Sequence, residues 1–502
     1  MNTSKLLNLI TRARSNVYQF SDPTPLESYP QEGGGTLLLK REDLSPVHSY
    51  KWRGAYNFMA SQKPETLAKG VVTASAGNHA QGVAMAAAKL GIRARITMPT
   101  TVARMKAHEV RRLGGDNVEI IITGDTFDDA RRAAGTAALE KNMLYVPPYD
   151  HPLVVAGQGT IGDELLMGPI WPDVVFLQIG GGGFAAGVAT FLKNNVPNIR
   201  IIGVEGEGQA SMKASVEAGQ LVTLPKLSVF CDGTAVKRVG SYTFEVCRKH
   251  IDEFMVVSND DVCAGIQKIW ELARTIAEPS GALGMAAYLK MQNELKGKNV
   301  AIIVSGANMD FTRLAWIAGR ASIGATLKRC YEIALPEKSG AMLKVLNDIS
   351  SLKLNIEDFL YGKNHQEGAY PVFGFKGTPK QLDELEHLLA EKNYTFKNVT
   401  QREDVAYRII NYDPKIWKNP LTGLIQFPER PGALLEFMED VSRLSNICYF
   451  NYSNSGEMVG RALMGFEFEN EEKKEAFLAH VTIEGPPLQE IDMINFRHNS
   501  ST

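Results

Sequence analysis

The sequence predicts an α/β chain built in two styles: a large body of parallel strands covered by helices, then a small α+β module present twice. Three observations carry this reading. From about Leu37 to Met309, apolar β-branched runs alternate with Ala-rich helical stretches, the pattern of a parallel sheet flanked by helices. After about Ala325 the Ala/Gly-rich pattern gives way to charged strand–helix–strand patterns. Within that last third, Leu335-Pro336-Glu337-Lys338-Ser339-Gly340-Ala341-Met342-Leu343 recurs as Phe427-Pro428-Glu429-Arg430-Pro431-Gly432-Ala433-Leu434-Leu435. The match continues from Asp348-Ile349-Ser350 to Asp440-Val441-Ser442, and from Asn355-Ile356 to Asn446-Ile447 with a slip of one residue.

A chain of 502 residues exceeds one core, since domains usually run about 100–200 residues. The changes of pattern divide it into 1–325, 326–410 and 411–502. Charged residues make up 22% and apolar residues 44%, ordinary for a soluble globular chain. A formal net charge of −2 gives no general attraction to nucleic acid or anionic lipid. The N-terminal stretch lacks a signal-peptide core. Val174 to Leu192 carries no charge, but it contains Gly180, Gly181, Gly182, Gly183 and Gly187, so strand, Gly loop and helix is preferred to a membrane span. Five scattered cysteines form no CxxC pair and fit reduced thiols in a cytoplasmic protein. The nine histidines form no HxxxH pattern, so no metal is expected.

Along the body, Gly70–Thr73 reads as a strand end and Ala80–Leu90 as an Ala-rich helix. Arg95–Met98, Val118–Thr123, Ile199–Val204 and Asn299–Val304 read as further strands. Four segments beside these elements carry chemistry. In Ser49-Tyr50-Lys51-Trp52-Arg53-Gly54, Ser49 reads as a helix cap that places Lys51 in the first turn. The positive end of the helix dipole would favour a neutral amine there, the form that attacks a carbonyl. Read alone, Lys51 is also simply one surface lysine among many. In Ser75-Ala76-Gly77-Asn78-His79-Ala80-Gln81-Gly82, Gly77 permits a tight turn whose N–H groups suit an anion such as a carboxylate. A capped helix with a solvated histidine fits that segment equally. Gly180-Gly181-Gly182-Gly183-Phe184, between strand and helix, is neither GxGxxG nor a Walker loop. Its glycines let several N–H groups approach a phosphate. Ser305, in Val304-Ser305-Gly306-Ala307-Asn308, ends the last strand at the crevice; a plain turn is the competing reading.

Taken together, these segments resemble the fold-type II pyridoxal-phosphate enzymes, and within them the biosynthetic threonine deaminases. The likeness extends to Lys40-Arg41-Glu42-Asp43, Pro147-Pro148-Tyr149-Asp150-His151-Pro152, Ala156-Gly157-Gln158-Gly159-Thr160 and Glu278-Pro279-Ser280-Gly281-Ala282. The resemblance implies pyridoxal 5'-phosphate as cofactor, carried by Lys51, whose amine also moves the substrate α-proton. It implies that Gly180, Gly181, Gly182, Gly183 and Phe184 hold the phosphate, that Asn78 bonds the ring oxygen, and that Ser305 faces the ring nitrogen. Ser75, Ala76, Gly77 and His79 would meet the substrate. A hydroxyl at Ser305 does not stabilise a protonated ring, which favours prompt loss of a β-hydroxyl. The implied substrate is L-threonine, with L-serine reacting similarly. The C-terminal repeats resemble the paired ACT-like regulatory modules of the same enzymes. They imply isoleucine as inhibitor, valine as activator, a site near Gly340 or Gly432, and a homotetramer.

Two positions depart from relatives. Position 50 is Tyr where phenylalanine is common, and its hydroxyl needs a partner. Position 76 is Ala where serine racemases carry a second acid/base serine, which favours a lyase. A serine dehydratase, a serine racemase or a β-replacement enzyme of the same fold, and a non-catalytic amino-acid sensor, remain the competing readings.

Overall fold

The β-branched runs of the first unit, Met1–Gly324, become two separate sheets rather than one. The computed structural model describes residues 3–102, 104–365, 368–428, 433–442, 444–453, 459–483 and 488–489. The strands of this unit are β1 (Leu26–Pro30), β2 (Thr36–Arg41), β3 (Val71–Ala74), β4 (Ala94–Met98), β5 (Val118–Ile122), β6 (Leu144–Tyr145), β7 (Val174–Gln178), β8 (Arg200–Gly206), β9 (Glu253–Val257) and β10 (Val300–Val304). The larger sheet runs β1-β2-β10-β7-β8-β9 and the smaller β5-β4-β3-β6. All neighbours pair in parallel except β1 with β2. Parallel strands need both faces covered, and the burial pattern obeys. Val175, Leu177, Ile201, Ala301 and Ile303 join one core layer, while Val174, Phe176, Ile202, Val300 and Ile302 join the opposite one.

Chain order turns round twice. From β7 the chain steps to β8 and β9, then returns to place β10 on the other side of β7. From β3 it steps to β4 and β5, then returns to place β6 on the other side of β3. Crevices form at the carboxyl ends of strands flanking such reversals, and ligands bind in them. The uncharged run from Val174 is β7, the Gly loop and the helix Gly183–Asn195. No helix among the described residues is long and apolar enough to cross a membrane. The five cysteines are buried and none forms a disulfide among the described residues.

The second unit, Ala325–Thr502, holds the repeat. Lys328–Ile333, helix Ala341–Ile349, Asn355–Gly362, Val372–Lys376 and helix Pro379–Glu391 follow in that order. They are answered by Leu421–Pro428, helix Ala433–Val441, Asn446–Ser453, Val459–Glu467 and helix Glu471–Ile483. The copies share one antiparallel sheet, joined where Asn355–Gly362 pairs with Asn446–Ser453. Leu360 lies opposite Asn451, its own counterpart when Asn355 is matched with Asn446. Each copy therefore presents the same edge to the other, as in a twofold contact. Phe359, Phe373, Phe450 and Phe466 fill the common core. The turn of the second copy, including Gly432, lies outside the described residues.

Candidate functional site

Lys51 is the first residue of the helix Lys51–Ala60. Ser49 does not cap it. Tyr50 holds the cap position without a side-chain bond, because Ser49 is drawn into a bridge with Gly306. The Tyr50 N–H donates to the Ser305 carbonyl at 3.2 Å and the Ala307 N–H donates to the His48 carbonyl at 3.0 Å. The segment before Lys51 is thus stitched to the segment after β10, so Lys51 and Ser305 share one wall. The Lys51 amine lies 5.3 Å from the centre of the Tyr50 ring. That ring packs on Phe184, with centroids 4.8 Å apart.

Two features fix the helix behind Lys51. A Cβ on Gly82 would lie 2.9 Å from the Trp52 Cα, so glycine is what lets the helix Asn78–Leu90 approach the Lys51 backbone. Beneath it, Arg53 is fully buried and spends its guanidinium on four side chains, Thr24 among them at 3.5 Å. It bonds Glu42 twice at 2.9 Å, Glu164 twice, once at 3.0 Å, and Thr160 at 3.0 Å. Lys40 joins through Glu164 at 2.6 Å and Glu42 at 3.6 Å. Two buried cations meet two buried carboxylates. Burial alone would raise the Glu42 carboxyl, but Arg53 and Lys40 outweigh it and hold Glu42 below the usual range.

The Gly loop follows β7. Gly182 adopts φ 91° as it caps the helix Gly183–Asn195, a left-handed conformation that favours glycine. Packing explains more of the loop than its sequence suggests. A Cβ on Gly181 would lie 2.2 Å from the Tyr149 ring, one on Gly183 2.8 Å from the Tyr149 carbonyl, and one on Gly180 2.9 Å from Thr234. Two of the loop's carbonyls are occupied: Gly181 accepts from Thr243 Oγ1 at 2.6 Å and from the Gly240 N–H at 3.3 Å, and Gly182 accepts from the Ala186 N–H at 2.8 Å. The N–H groups of Gly180, Gly181 and Gly182 meet no acceptor among the described residues. Unmatched donors at a helix N-terminus fit a phosphate, so the loop suits the cofactor.

The loop after β3 gives a mixed result. Gly77 has φ −138°, which does not require glycine, so the tight-turn reason fails. A Cβ there would meet nothing within 4 Å, so its bareness leaves open space instead. The Gly77 N–H donates to Ser75 Oγ at 3.2 Å, and Ala76 is half-buried. His79 is not solvated. It is buried, its Nε2 donates to the Val146 carbonyl at 3.2 Å, and burial, helped by nearby Lys51, lowers its pKa to about 3. A neutral ring bound to backbone cannot supply a positive charge to a substrate.

Asn78 opens the helix Asn78–Leu90 and is buried. Its Nδ2 donates to Glu278 Oε1 at 2.7 Å, and its Oδ1 accepts from Asn308 Nδ2 at 2.9 Å. Ser305 is 2% exposed. Glu278 and Asn308 lay in motifs visible in the sequence, but nothing there pairs them with Asn78. The structure sets Asn78 and the loop Ser75–Gly77 after β3, the loop Gly180–Phe184 after β7 and Ser305 after β10, all strands flanking the two reversals, and bonds the segment before Lys51 to the segment after β10.

A second opening lies in the C-terminal unit. It is a narrow opening, part of it open to solvent, lined by Leu335, Glu337, Gly340, Met342, Asn446 and Ile447. These residues come from both copies of the repeat. Asn446 Nδ2 donates to Glu337 at 2.9 Å and to Glu467 at 2.8 Å. Ser339 Oγ faces the Ser442 and Ser445 carbonyls, the latter at 2.7 Å.

Comparison with known proteins gives concordant results for both units. Residues 17–306 match the family described as pyridoxal-phosphate dependent enzyme. Residues 319–409 and 419–493 match the C-terminal regulatory domain of threonine dehydratase. The biosynthetic L-threonine dehydratase IlvA of Haemophilus influenzae is 38% identical over 94% of this chain and 93% of its own. The mitochondrial threonine dehydratase of Schizosaccharomyces pombe is 36% identical over 90% of this chain and 76% of its own. The solved structure of processed threonine deaminase isoform 2 from Solanum lycopersicum superposes with a TM-score of 0.60 at 42% identity. It covers 64% of this chain and 94% of that one. Maize serine racemase gives 0.58 at 30% identity, covering 62% and 96%.

Proposed function

The chain belongs to the pyridoxal-phosphate dependent threonine dehydratases, and from that premise we infer that it converts L-threonine to 2-oxobutanoate and ammonia under allosteric control. One observation carries the catalytic reading: Lys51 starts a helix whose preceding residue, Tyr50, donates its N–H to the Ser305 carbonyl, so lysine and serine share one wall of the crevice.

When bound, pyridoxal phosphate supplies an aldehyde for amino groups and a conjugated ring that takes up electrons from the α-carbon. The chain's residues do the rest. Lys51 would hold the cofactor through its amine, and that amine would serve as the base for the α-proton of threonine. The N–H groups of Gly180 to Phe184 bind the phosphate, and Ser305 offers a neutral hydroxyl to the ring nitrogen. Asn78 keeps one N–H for the ring oxygen, its Nδ2 having two hydrogens of which Glu278 takes one. The loop Ser75–Gly77, left open by the bare Gly77, receives the substrate carboxylate. His79 supports that loop from beneath as a neutral anchor. Ala76 has no hydroxyl to return a proton to the opposite face, which supports elimination over racemisation.

The chain's architecture supports three parts: 1–325 for catalysis, 326–410 and 411–502 for regulation. The opening at the Gly340 turn, lined by both copies, suits an amino-acid effector, with isoleucine as inhibitor and valine as activator. A homotetramer in the cytoplasm completes the reading. The test is a steady-state comparison of threonine and serine in the parent and in Lys51→Ala. The parent should develop a visible absorption band with cofactor and favour threonine; Lys51→Ala should lose band and turnover. Equal or better turnover of serine would replace threonine with serine as substrate, and a parent without the band would remove the catalytic reading.

A further inference from the structure

Glu278 is a buried carboxyl at the heart of the site to which the proposed reaction gives no task. It precedes the helix Pro279–Met291 and is 3% exposed. Its N–H donates to the Gly306 carbonyl at 3.0 Å. A Cβ on Gly306 would lie 2.6 Å from Glu278 Oε1, and one on Gly233 3.3 Å from it. The carboxyl is wedged where two glycines leave room for it.

Donor and acceptor rules fix the two amides beside it. Asn308 Nδ2 donates to the Val47 carbonyl at 2.8 Å, and a carbonyl only accepts, so the Asn308 amide has one possible orientation. The same Nδ2 donates to Asn78 Oδ1 at 2.9 Å. That turns the Asn78 Nδ2 towards Glu278 Oε1, 2.7 Å away. Asn78 follows the small sheet's β3, whereas Glu278 and Asn308 belong to the large sheet's side. Two bonds therefore grip one amide across the crevice.

We propose that Glu278 is a positioning residue: it holds the Asn78 amide across the crevice with one N–H committed to its carboxyl, leaving the other presented to the cofactor oxygen. The proposal rests on the reading of Asn78 as a cofactor contact. A carboxyl that merely stabilised its own helix would act independently of Asn78.

The charge state of Glu278 adds a second handle. Burial pushes the carboxyl up to about 7, Asp232 adds to the rise, and Asn78, Lys106 and Lys51 pull it back. Cys231 faces it from the same segment as Asp232. Oε1 accepts from Asn78, so a proton on the carboxyl resides on Oε2. Ionisation above about pH 7 brings a negative charge beside the bonded amide, and that charge opposes an anionic cofactor oxygen.

The experiment titrates apoprotein with pyridoxal phosphate, read by absorbance, in the parent, E278L, N78A and the double variant. Circular dichroism checks folding. The expected result is about tenfold weaker binding for E278L in the parent background, about 1.4 kcal/mol. In the N78A background the same change should cost less than about twofold, since coupled residues are non-additive. Equal losses in both backgrounds, or no loss in the first, overturn the proposal. Should E278L fail to fold, E278Q decides. Gln keeps an acceptor oxygen but cannot ionise, so the ratio of parent to E278Q affinity should fall at least about threefold from pH 6 to pH 8. An unchanged ratio removes the charge effect, and E278Q and N78A losses that simply add overturn the proposal. A parent that binds no pyridoxal phosphate overturns the cofactor reading itself, a distinct outcome.

Discussion

His79 shows how a residue beside the proposed site can be committed to the backbone around it. Its ring donates to the Val146 carbonyl, which also accepts from Thr73 Oγ1 at 2.9 Å. That one carbonyl ties the start of the Asn78 helix to β3. Burial first, then the Lys51 charge, lowers the His79 pKa from 6.5 to about 3. The folded state therefore refuses a proton that the unfolded chain accepts below about 6.5. Stability from this group is present above 6.5 and is lost as pH falls towards 3. We predict that His79→Gln, whose amide can still donate to Val146, loses less stability than the parent between pH 7 and pH 5. Urea unfolding of the apoprotein at the two pH values measures it. Equal losses would mean that His79 is protonated in the folded chain.

At the scale of elements, the Lys51 helix is the part whose placement matters most. Lys51 and Arg53 are two positions apart, so they leave the helix on different sides. Pinning Arg53 to Glu42 and Glu164 fixes the helix's rotation and with it the direction of Lys51. The ion cluster is costly to bury and costlier to break, because a lone buried charge has no water to turn to. Arg53→Met should destabilise the apoprotein by about 3–5 kcal/mol, seen as a lower urea midpoint. A change under about 1 kcal/mol would mean that the carboxylates find other partners.

The sequence reveals elements of this kind unevenly. Strands such as Val174–Gln178 and Val300–Val304 were legible because buried parallel strands leave continuous apolar runs. The division into two sheets was not, because pairing between distant strands leaves no local pattern, and Leu144–Tyr145 is too short to show one. Ser49 had the composition of a cap, but the tertiary bridge to Gly306 overrode it. The four chemistry-bearing segments were legible one by one. The two reversals of strand order place three of them at carboxyl ends beside a crevice, and the Lys51 segment joins them through its backbone bonds to the segment after β10.

At the scale of the whole molecule, a catalytic unit is joined in sequence to a duplicated one, and the duplicated unit contains its own candidate switch. Equivalent strands of the two copies pair, with Leu360 opposite Asn451, so the two copies share one hydrogen-bonded edge. The polar groups near the opening are shared in the same way. Lys363 pairs with Glu467 and lies 3.7 Å from Glu337, Asn446 bridges those two carboxylates, and Ser339 reaches the Ser442 and Ser445 carbonyls. An effector seated against Glu337 and Asn446 would act on both copies at once. Ser339 is the simplest place to test this, since its hydroxyl crosses between the copies but does not line the opening. Removing one hydrogen bond is worth about 1 kcal/mol, within the usual size of an allosteric coupling. Ser339→Ala should therefore shift the isoleucine concentration for half-inhibition by about fivefold, while threonine turnover without effector stays within about twofold. Titrating isoleucine against initial rates of 2-oxobutanoate formation measures both. An unshifted half-inhibition point would separate the Ser339 contact from regulation, and hyperbolic kinetics indifferent to isoleucine would leave the catalytic reading standing and remove the regulatory one.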